Sequence, residues 1–196
     1  MSTRDRILDA AATVLRERGI ARATTKEIAR AAGCSEALLY KHFADKQELF
    51  LGVLSERAPR LDAPAELVGH GTVEENVTTL VGRLLAFYVR SFPMAASILG
   101  APELLAAHRE GLGRRGAGPQ GPALQVQAYL DAETAAGRLS VDVDTEALSR
   151  TLAGAALFEA FLAVYAGRDA VPGASARARG IVGAVRLDAP DAGPEA

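Results

Sequence analysis

The stretch Thr24–Phe50, TTKEIARAAGCSEALLYKHFADKQELF, holds three helix starts in 27 residues. Thr24 with Glu27 three residues on is a capping box, Ser35 is a second N-cap, and Asp45 with Glu48 repeats the box. Gly33 stands where a helix end wants a left-handed residue. Ile28 and Ala32 point inward from the first of these helices. Leu49, Phe50, Val53 and Leu54 make the last one apolar until Pro59 ends it. Helix, three-residue turn and short helix together form a helix-turn-helix. A corner of this kind also serves as a mere packing unit, so the side chains have to separate the two uses.

On a wheel of about 100° per residue, Leu39 and Phe43 share one face of the short helix, where they lock it onto its neighbours. Ala37, Tyr40 and Lys41 lie opposite, with Leu38 at the edge. A side chain as small as Ala37 lets the backbone approach a major groove, Lys41 reaches base edges or phosphate, and Tyr40 can offer its hydroxyl to a phosphate. Thr24, Thr25 and Lys46 sit at helix N-termini, where unpaired amides favour a phosphate oxygen. Tyr40 also reads as a core aromatic. His42, near the core side, reads equally as packing or phosphate contact. Cys34 is a turn cysteine filling an apolar niche, with a redox sensor as the alternative.

Working outward, Ser2 or Thr3 caps a first helix to Arg18, with Ile7, Leu8, Ala11, Val14 and Leu15 as its apolar stripe. Gly19 then stops it, and Ile20 folds back on Leu15.

These residues resemble the N-terminal signature of the TetR family of bacterial transcriptional repressors. The resemblance rests on the threonine-led second helix, the Gly-x-Ser turn at 33–35, Leu-Tyr-x-His-Phe at 39–43 and Lys-x-x-Leu at 46–49. RDRILDAA and the ERG stop of the first helix extend it over roughly residues 3 to 54. It implies an all-α homodimer whose two heads bind a palindromic operator and release it when a small molecule enters the C-terminal domain. Carried over, Thr24, Thr25, Ser35, Tyr40, His42 and Lys46 would contact the DNA backbone. Glu36, Ala37, Leu38 and Lys41 would face bases, and Arg4 would belong to a minor-groove arm. Cys34 and Leu38 depart from the common pattern, where an apolar residue and a smaller or polar one are frequent. Leu38 would touch a thymine methyl or lie over the groove edge.

The bulk properties agree. The 196 residues are 49% hydrophobic, with a mean hydropathy of +0.10, as in a folded chain. The start, MSTRDRILDA, has no hydrophobic signal core, so a soluble cytoplasmic protein is expected. A single cysteine excludes an intrachain disulfide. His42, His70 and His108 are too scattered for a helical metal pair, and no cofactor is expected. Residues 1 to 60 hold 11 Lys and Arg against 8 Asp and Glu, a balance of +3, and the rest carries −5. All three lysines, Lys26, Lys41 and Lys46, fall in the head. A basic head on an acidic body points to an anionic partner.

The expected organisation is a helix-turn-helix DNA-binding domain over residues 1–50, a connecting fourth helix at about 45–58, and a helical effector-binding and dimerisation domain over 59–196. A Pro- and Gly-containing linker covers Ala58–Gly71. Thr72 and Glu75 box a helix with Val77, Leu80, Val81, Leu84 and Tyr88 inward, which Phe92-Pro93 ends or kinks. Pro93 and Pro102 each open a short helix. The glycine-rich run Gly111–Pro122 reads as a mobile loop, and Pro122 reopens helix to Gly137.

The helix expected at 145–166 is the most apolar element, with Glu159 the sole charge from Thr151 to Tyr165. It is read as short of a membrane span, with core on one face and a partner subunit on the other. Ala178, Ile181, Val182 and Val185 of a last helix, about 175–187, give a second dimer stripe, and the tail 188–196 reads as disordered. Phe87, Tyr88, Phe92, Met94, Leu99, His108, Tyr129, Phe158, Glu159 and Phe161 are candidate effector contacts. The alternative for each is ordinary core packing. Glu159 needs a cationic partner in so apolar a helix, with Arg83, Arg90 or a cationic ligand as the options.

Three functions fit. The first is a ligand-responsive DNA-binding repressor, and the second is an α-helical carrier or enzyme whose helix-turn-helix only packs. The third is a constitutive DNA-binding protein without effector. No Gly-rich phosphate loop, nucleophile elbow or metal spacing supports an enzyme.

Overall fold

The computed structural model describes residues 1–59, 61, 64–114, 118–185 and 187. Among these the chain is all-α: α1 (Thr3–Arg22), α2 (Thr25–Ala31), α3 (Glu36–His42), α4 (Lys46–Glu56), α5 (Val73–Leu99), α6 (Pro102–Gly113), α7 (Gly121–Ala135), α8 (Thr145–Tyr165) and α9 (Ala174–Gly183), with a short 3-10 turn at Pro64–Leu67.

The predicted caps form. Ser2 caps α1, and Asp5 completes its box. Thr24, Ser35 and Asp45 accept the backbone N–H of Glu27, Leu38 and Glu48. Gly33 has φ +65°, a left-handed conformation. Its N–H bonds to Arg30 O at 3.2 Å while that of Cys34 bonds to Ala29 O at 2.9 Å, the paired closure of a Schellman stop. Gly19 also turns left-handed (φ 72°), but Ile20–Arg22 make one more helical turn after it, so the break lies inside α1.

Two compact units result. The first is Met1–Pro59 with Ser91–Gly118, and the second is Arg60–Arg90 with Pro119–Ala196. This differs from the continuous division expected near residues 50 to 59. The reason lies in the side chains: Met94, Ile98 and Leu104 are buried in the same core as Ile7, Leu8, Leu39, Phe43 and Leu49. That burial also explains a second correction. Pro93 neither ends α5 nor opens a new helix but lies within it. The proline withholds one N–H from the helical ladder. Met94 and Ile98 carry the helix on through their burial, and Ser97 Oγ donates to Pro93 O at 2.8 Å. Pro102 does open a helix, at the first position of α6.

The glycine-rich run is mostly helical at its edges, since α6 reaches Gly113 and α7 begins at Gly121. Residues 115–117, the tail 188–196 and parts of the 58–71 linker lie outside the described residues.

In the second unit, Val77, Leu80, Val81, Leu84, Val126, Tyr129, Leu130, Leu152 and Ala156 form the core. A buried polar cluster sits in it. Glu133 is fully buried; its Oε1 accepts Gly69 N–H at 3.1 Å, and its Oε2 lies 3.2 Å from Arg138 Nε. Asn76 Nδ2 donates to Leu67 O and His70 O at 3.0 and 2.6 Å. These bonds anchor the chain between the 3-10 turn and α5 to the end of α7. At 21 residues, α8 is by length and composition sufficient to cross a membrane, which corrects the expectation that it is too short. Its Ser149, Leu152, Ala153, Ala156, Ala160 and Ala163 are nevertheless buried, as in the core helix of a packed domain.

Candidate nucleic-acid interface

Helix α3 is seven residues long and two-sided. Leu39 and Phe43 are 0% and 2% exposed, while Glu36, Ala37, Tyr40, Lys41 and His42 are exposed and Leu38 is half-buried. Leu39 and Phe43 join Ile7, Leu8, Ile28 and Phe50 in the core of the first unit. The packed side therefore fixes how the other side is presented. Exposure decides the two open readings: Tyr40 is not a core aromatic, and His42 does not pack inward.

Tyr40 is held from below. Its hydroxyl donates to Thr25 Oγ1 at 3.3 Å, and Thr25 Oγ1 donates to Glu36 Oε1 at 2.8 Å. One chain of bonds thus ties the first residue of α2 to the first residue of α3 and to Tyr40 one turn on. Thr24 Oγ1 donates to Glu27 Oε2 at 3.0 Å, and Arg18 pairs with the same carboxylate. The Thr24 hydroxyl, with help from Arg18, holds the Glu27 carboxyl below its ordinary range. Lys46, at the start of α4, is half-buried with its ammonium 5.2 Å from the Phe50 ring centroid. The ring face attracts the charge and steadies the side chain.

Arg4 is placed differently from an extended arm. It lies in the first turn of α1, bonded to Glu56 through Nη1 (2.8 Å) and Nη2 (2.6 Å), with its guanidinium over Phe43. Glu56 holds the Arg4 pKa up, and Arg4 holds that of Glu56 down. Arg57 adds bonds to Asp9 (2.7 Å) and Asp5 (3.0 Å), so α1 and α4 are joined by a charged clasp. Sequence reading missed this clasp, because its partners are about fifty positions apart. Cys34, in the turn, is half-buried against the core of this unit, the niche-filling position.

The ten effector candidates are divided between the two units. Phe92, Met94, Leu99 and His108 belong to the first unit, and Phe87, Tyr88, Tyr129, Phe158, Glu159 and Phe161 to the second. Met94 and Tyr129 are core residues, while Leu99 and Phe158 are 70% and 58% exposed. Burial pushes the Tyr129 hydroxyl up to about 12 and shifts Tyr88 in the same direction. It pushes His108 below its ordinary value. Phe87 and Tyr88 stack edge to face at 5.2 Å. The partner of Glu159 is Arg177 of α9, at 3.2 Å, rather than Arg83 or Arg90. Arg83 is engaged by Glu66, and Arg90 Nε donates to Ala86 O. Asn76 and Glu133 were also missed. Their signal was available, since Glu133 follows Val126, Tyr129 and Leu130 at helical spacing on an inward face.

The outer side of α8 is apolar: Leu157, Phe158, Phe161, Leu162 and Tyr165 are 38% to 83% exposed. Beside it, Thr151, Ala155 and Glu159 of α8 and Ala176, Arg177, Gly180 and Ile181 of α9 line an open groove of about 640 Å³. In the expected second stripe, Ala178 and Val182 are buried within the protomer, and Ile181 and Val185 are half-buried. That half of the expected stripe is core, because α9 packs onto α8 through it.

Capped helices, a left-handed glycine turn and a short helix with one buried and one presented side define a helix-turn-helix protein. The profile described as "Bacterial regulatory proteins, tetR family" matches residues 7–53. The uncharacterized HTH-type transcriptional regulator YvkB of Bacillus subtilis is 45% identical over 56 residues, which are 29% of this chain and 30% of that one. The HTH-type transcriptional regulator BetI of Rhizobium meliloti is 34% identical over 80 residues, 40% of this chain and 39% of that one. The chain therefore spans about a third of the length of the curated relatives it matches. A crystal structure of a putative TetR-family regulator from Mesorhizobium loti superposes with a TM-score of 0.77 at 21% identity, covering 93% of this chain and 94% of that one. The head of the chain is thus similar to the tetR family of bacterial regulatory proteins over residues 7–53, and over nearly its whole length the chain has the fold of the Mesorhizobium loti structure.

Proposed function

We propose that this chain is a ligand-responsive transcriptional regulator of the cytoplasm, a repressor that binds a palindromic operator as a homodimer and is released by a small-molecule effector. It acts by binding, not by catalysis. The observation that carries the reading is the two-sided α3: Leu39 and Phe43 are buried while Ala37, Tyr40, Lys41 and His42 are presented. A packing-only corner has no need to expose that set. Thr24, Thr25, Ser35, Tyr40, His42 and Lys46 hold phosphates, Thr25 through its backbone N–H and Tyr40 by turning its hydroxyl from Thr25 to the phosphate, and Glu36, Ala37, Leu38 and Lys41 face the bases. Arg4 reaches the DNA only by leaving Glu56.

Two heads on a dimer must stand about 34 Å apart, or a multiple, to enter successive major grooves on one side of the duplex. An effector that favours another spacing weakens binding by its differential affinity, typically about 1 to 3 kcal/mol.

Fluorescence-anisotropy titration against the DNA upstream of the protein's own gene, at several salt concentrations, tests the proposal. Tight, sequence-selective binding lost in Tyr40→Ala/Lys41→Ala is expected, with a metabolite that abolishes it. Binding indifferent to sequence and to the double substitution would sink the regulator. Selective binding that no metabolite disturbs would favour the constitutive reading. Lys46→Ala should weaken all sequences alike and lower the salt slope by about 1; an unchanged slope removes Lys46 from the phosphate contacts.

A further inference from the structure

We infer that Glu36 is a specificity-determining residue that reads a cytosine in each half-site; the inference rests on the DNA-binding reading above. Glu36 is the first residue of α3 and is exposed. In a helix-turn-helix the N-terminal residues of the second helix meet the base edges. A carboxylate there is an acceptor only. Against phosphates it is repelled, so its place at the interface needs a donor on the base itself.

The major groove offers two such donors, cytosine N4 and adenine N6. Guanine presents acceptors at O6 and N7, and thymine presents O4 beside its methyl. Adenine sets the N7 acceptor next to its donor, and N7 repels the second oxygen of a carboxylate. Cytosine has the donor without that neighbour, which makes it the base a carboxylate selects.

The side chain is also held in place. Oε1 accepts from Thr25 Oγ1 at 2.8 Å, and Thr25 accepts from Tyr40 at 3.3 Å. With Oε1 engaged on α2, Oε2 is left to receive the base. Holding it in advance lowers the entropy lost when the contact forms. The neighbours Ala37 and Leu38 are apolar, so neither competes for the donor.

Selection from a randomised duplex library with the full-length protein tests this, alongside Glu36→Gln and Glu36→Ala. Circular dichroism melts confirm that both variants fold. The wild type should enrich a C·G pair at one symmetric position of each half-site. Replacing that pair should weaken wild-type binding about tenfold, within the range of one mismatched base pair. Glu36→Ala should lose that penalty. Glu36→Gln, close in shape and able to donate as well as accept, should move the column toward adenine. A motif unchanged in both variants, or a wild-type motif without such a cytosine, overturns the inference and leaves the regulator standing. A wild type that enriches no motif overturns the regulatory reading, and this inference with it.

Discussion

The Asp5 side chain holds two roles in the first turn of α1. It returns the cap to Ser2 and accepts from Arg57 at 3.0 Å. The Ser2 hydroxyl, then Arg57, bring its carboxyl down from 3.8 to about 2. A depressed folded value means that the unfolded chain takes up the proton first as the medium acidifies. The stabilisation is therefore complete above pH 3.8 and disappears as pH falls toward 2. Wild type and Asp5→Asn should differ in denaturant midpoint at pH 6 by an amount that shrinks between about pH 4 and 2. A constant difference over that range would show that the charge is not what stabilises. The same clasp engages Arg4 with Glu56, a partner that the resemblance assigning Arg4 to an arm did not reveal.

Helix ends and helix interiors ask opposite things of glycine. Gly33 holds φ +65° at the end of α2 with open space around it, so Gly33→Ala costs strain and not a clash. A destabilisation of about 1 to 2 kcal/mol is expected, the usual cost of a left-handed L-residue. Gly82 lies inside α5, also with open space and without a left-handed φ. Gly82→Ala should stabilise by about 0.5 to 1 kcal/mol, because alanine loses less backbone freedom in a helix. Denaturant melts of the two variants should move in opposite directions. A shared direction would contradict one of the two backbone readings. Helix starts were legible for the same local reason. Thr24, Ser35, Asp45 and Thr72 each bond a backbone amide three residues on, within reach of sequence pattern. Asp144, which caps α8 through Ala147 N–H at 2.9 Å, escaped because alanine, not glutamate, stands three residues on, while Glu146 is only two away.

For the whole molecule, the exposed apolar side of α8 is the feature that an isolated protomer explains least. Leu157, Phe158, Phe161, Leu162 and Tyr165 recur at three- and four-residue intervals, and a continuous apolar patch of this kind marks an interaction surface. In the proposed dimer a second copy covers it. Phe158→Glu/Phe161→Glu should then bring the mass in light scattering to 20.4 kDa, against twice that for the wild type, with an unchanged circular dichroism spectrum. A wild type already at the single-chain mass, or a double variant still at twice it, would place the interface elsewhere.

Local chemistry made the head readable. Caps, a left-handed glycine and a two-sided helix depend on residues three to five positions apart, so helices α1 to α4, the exposed side of α3 and the apolar character of α8 followed from order along the chain. Long-range packing settled the remainder. Burial of Met94, Ile98 and Leu104 beside α1 to α4 carried α5 past Pro93 and joined residues 91–118 to the head. Packing against α8 drew Ala178 and Val182 into the core, and Arg177, not Arg83 or Arg90, met Glu159. Such pairings depend on which surfaces the folded chain brings within a few ångströms of one another. Residue order constrains that choice without stating it.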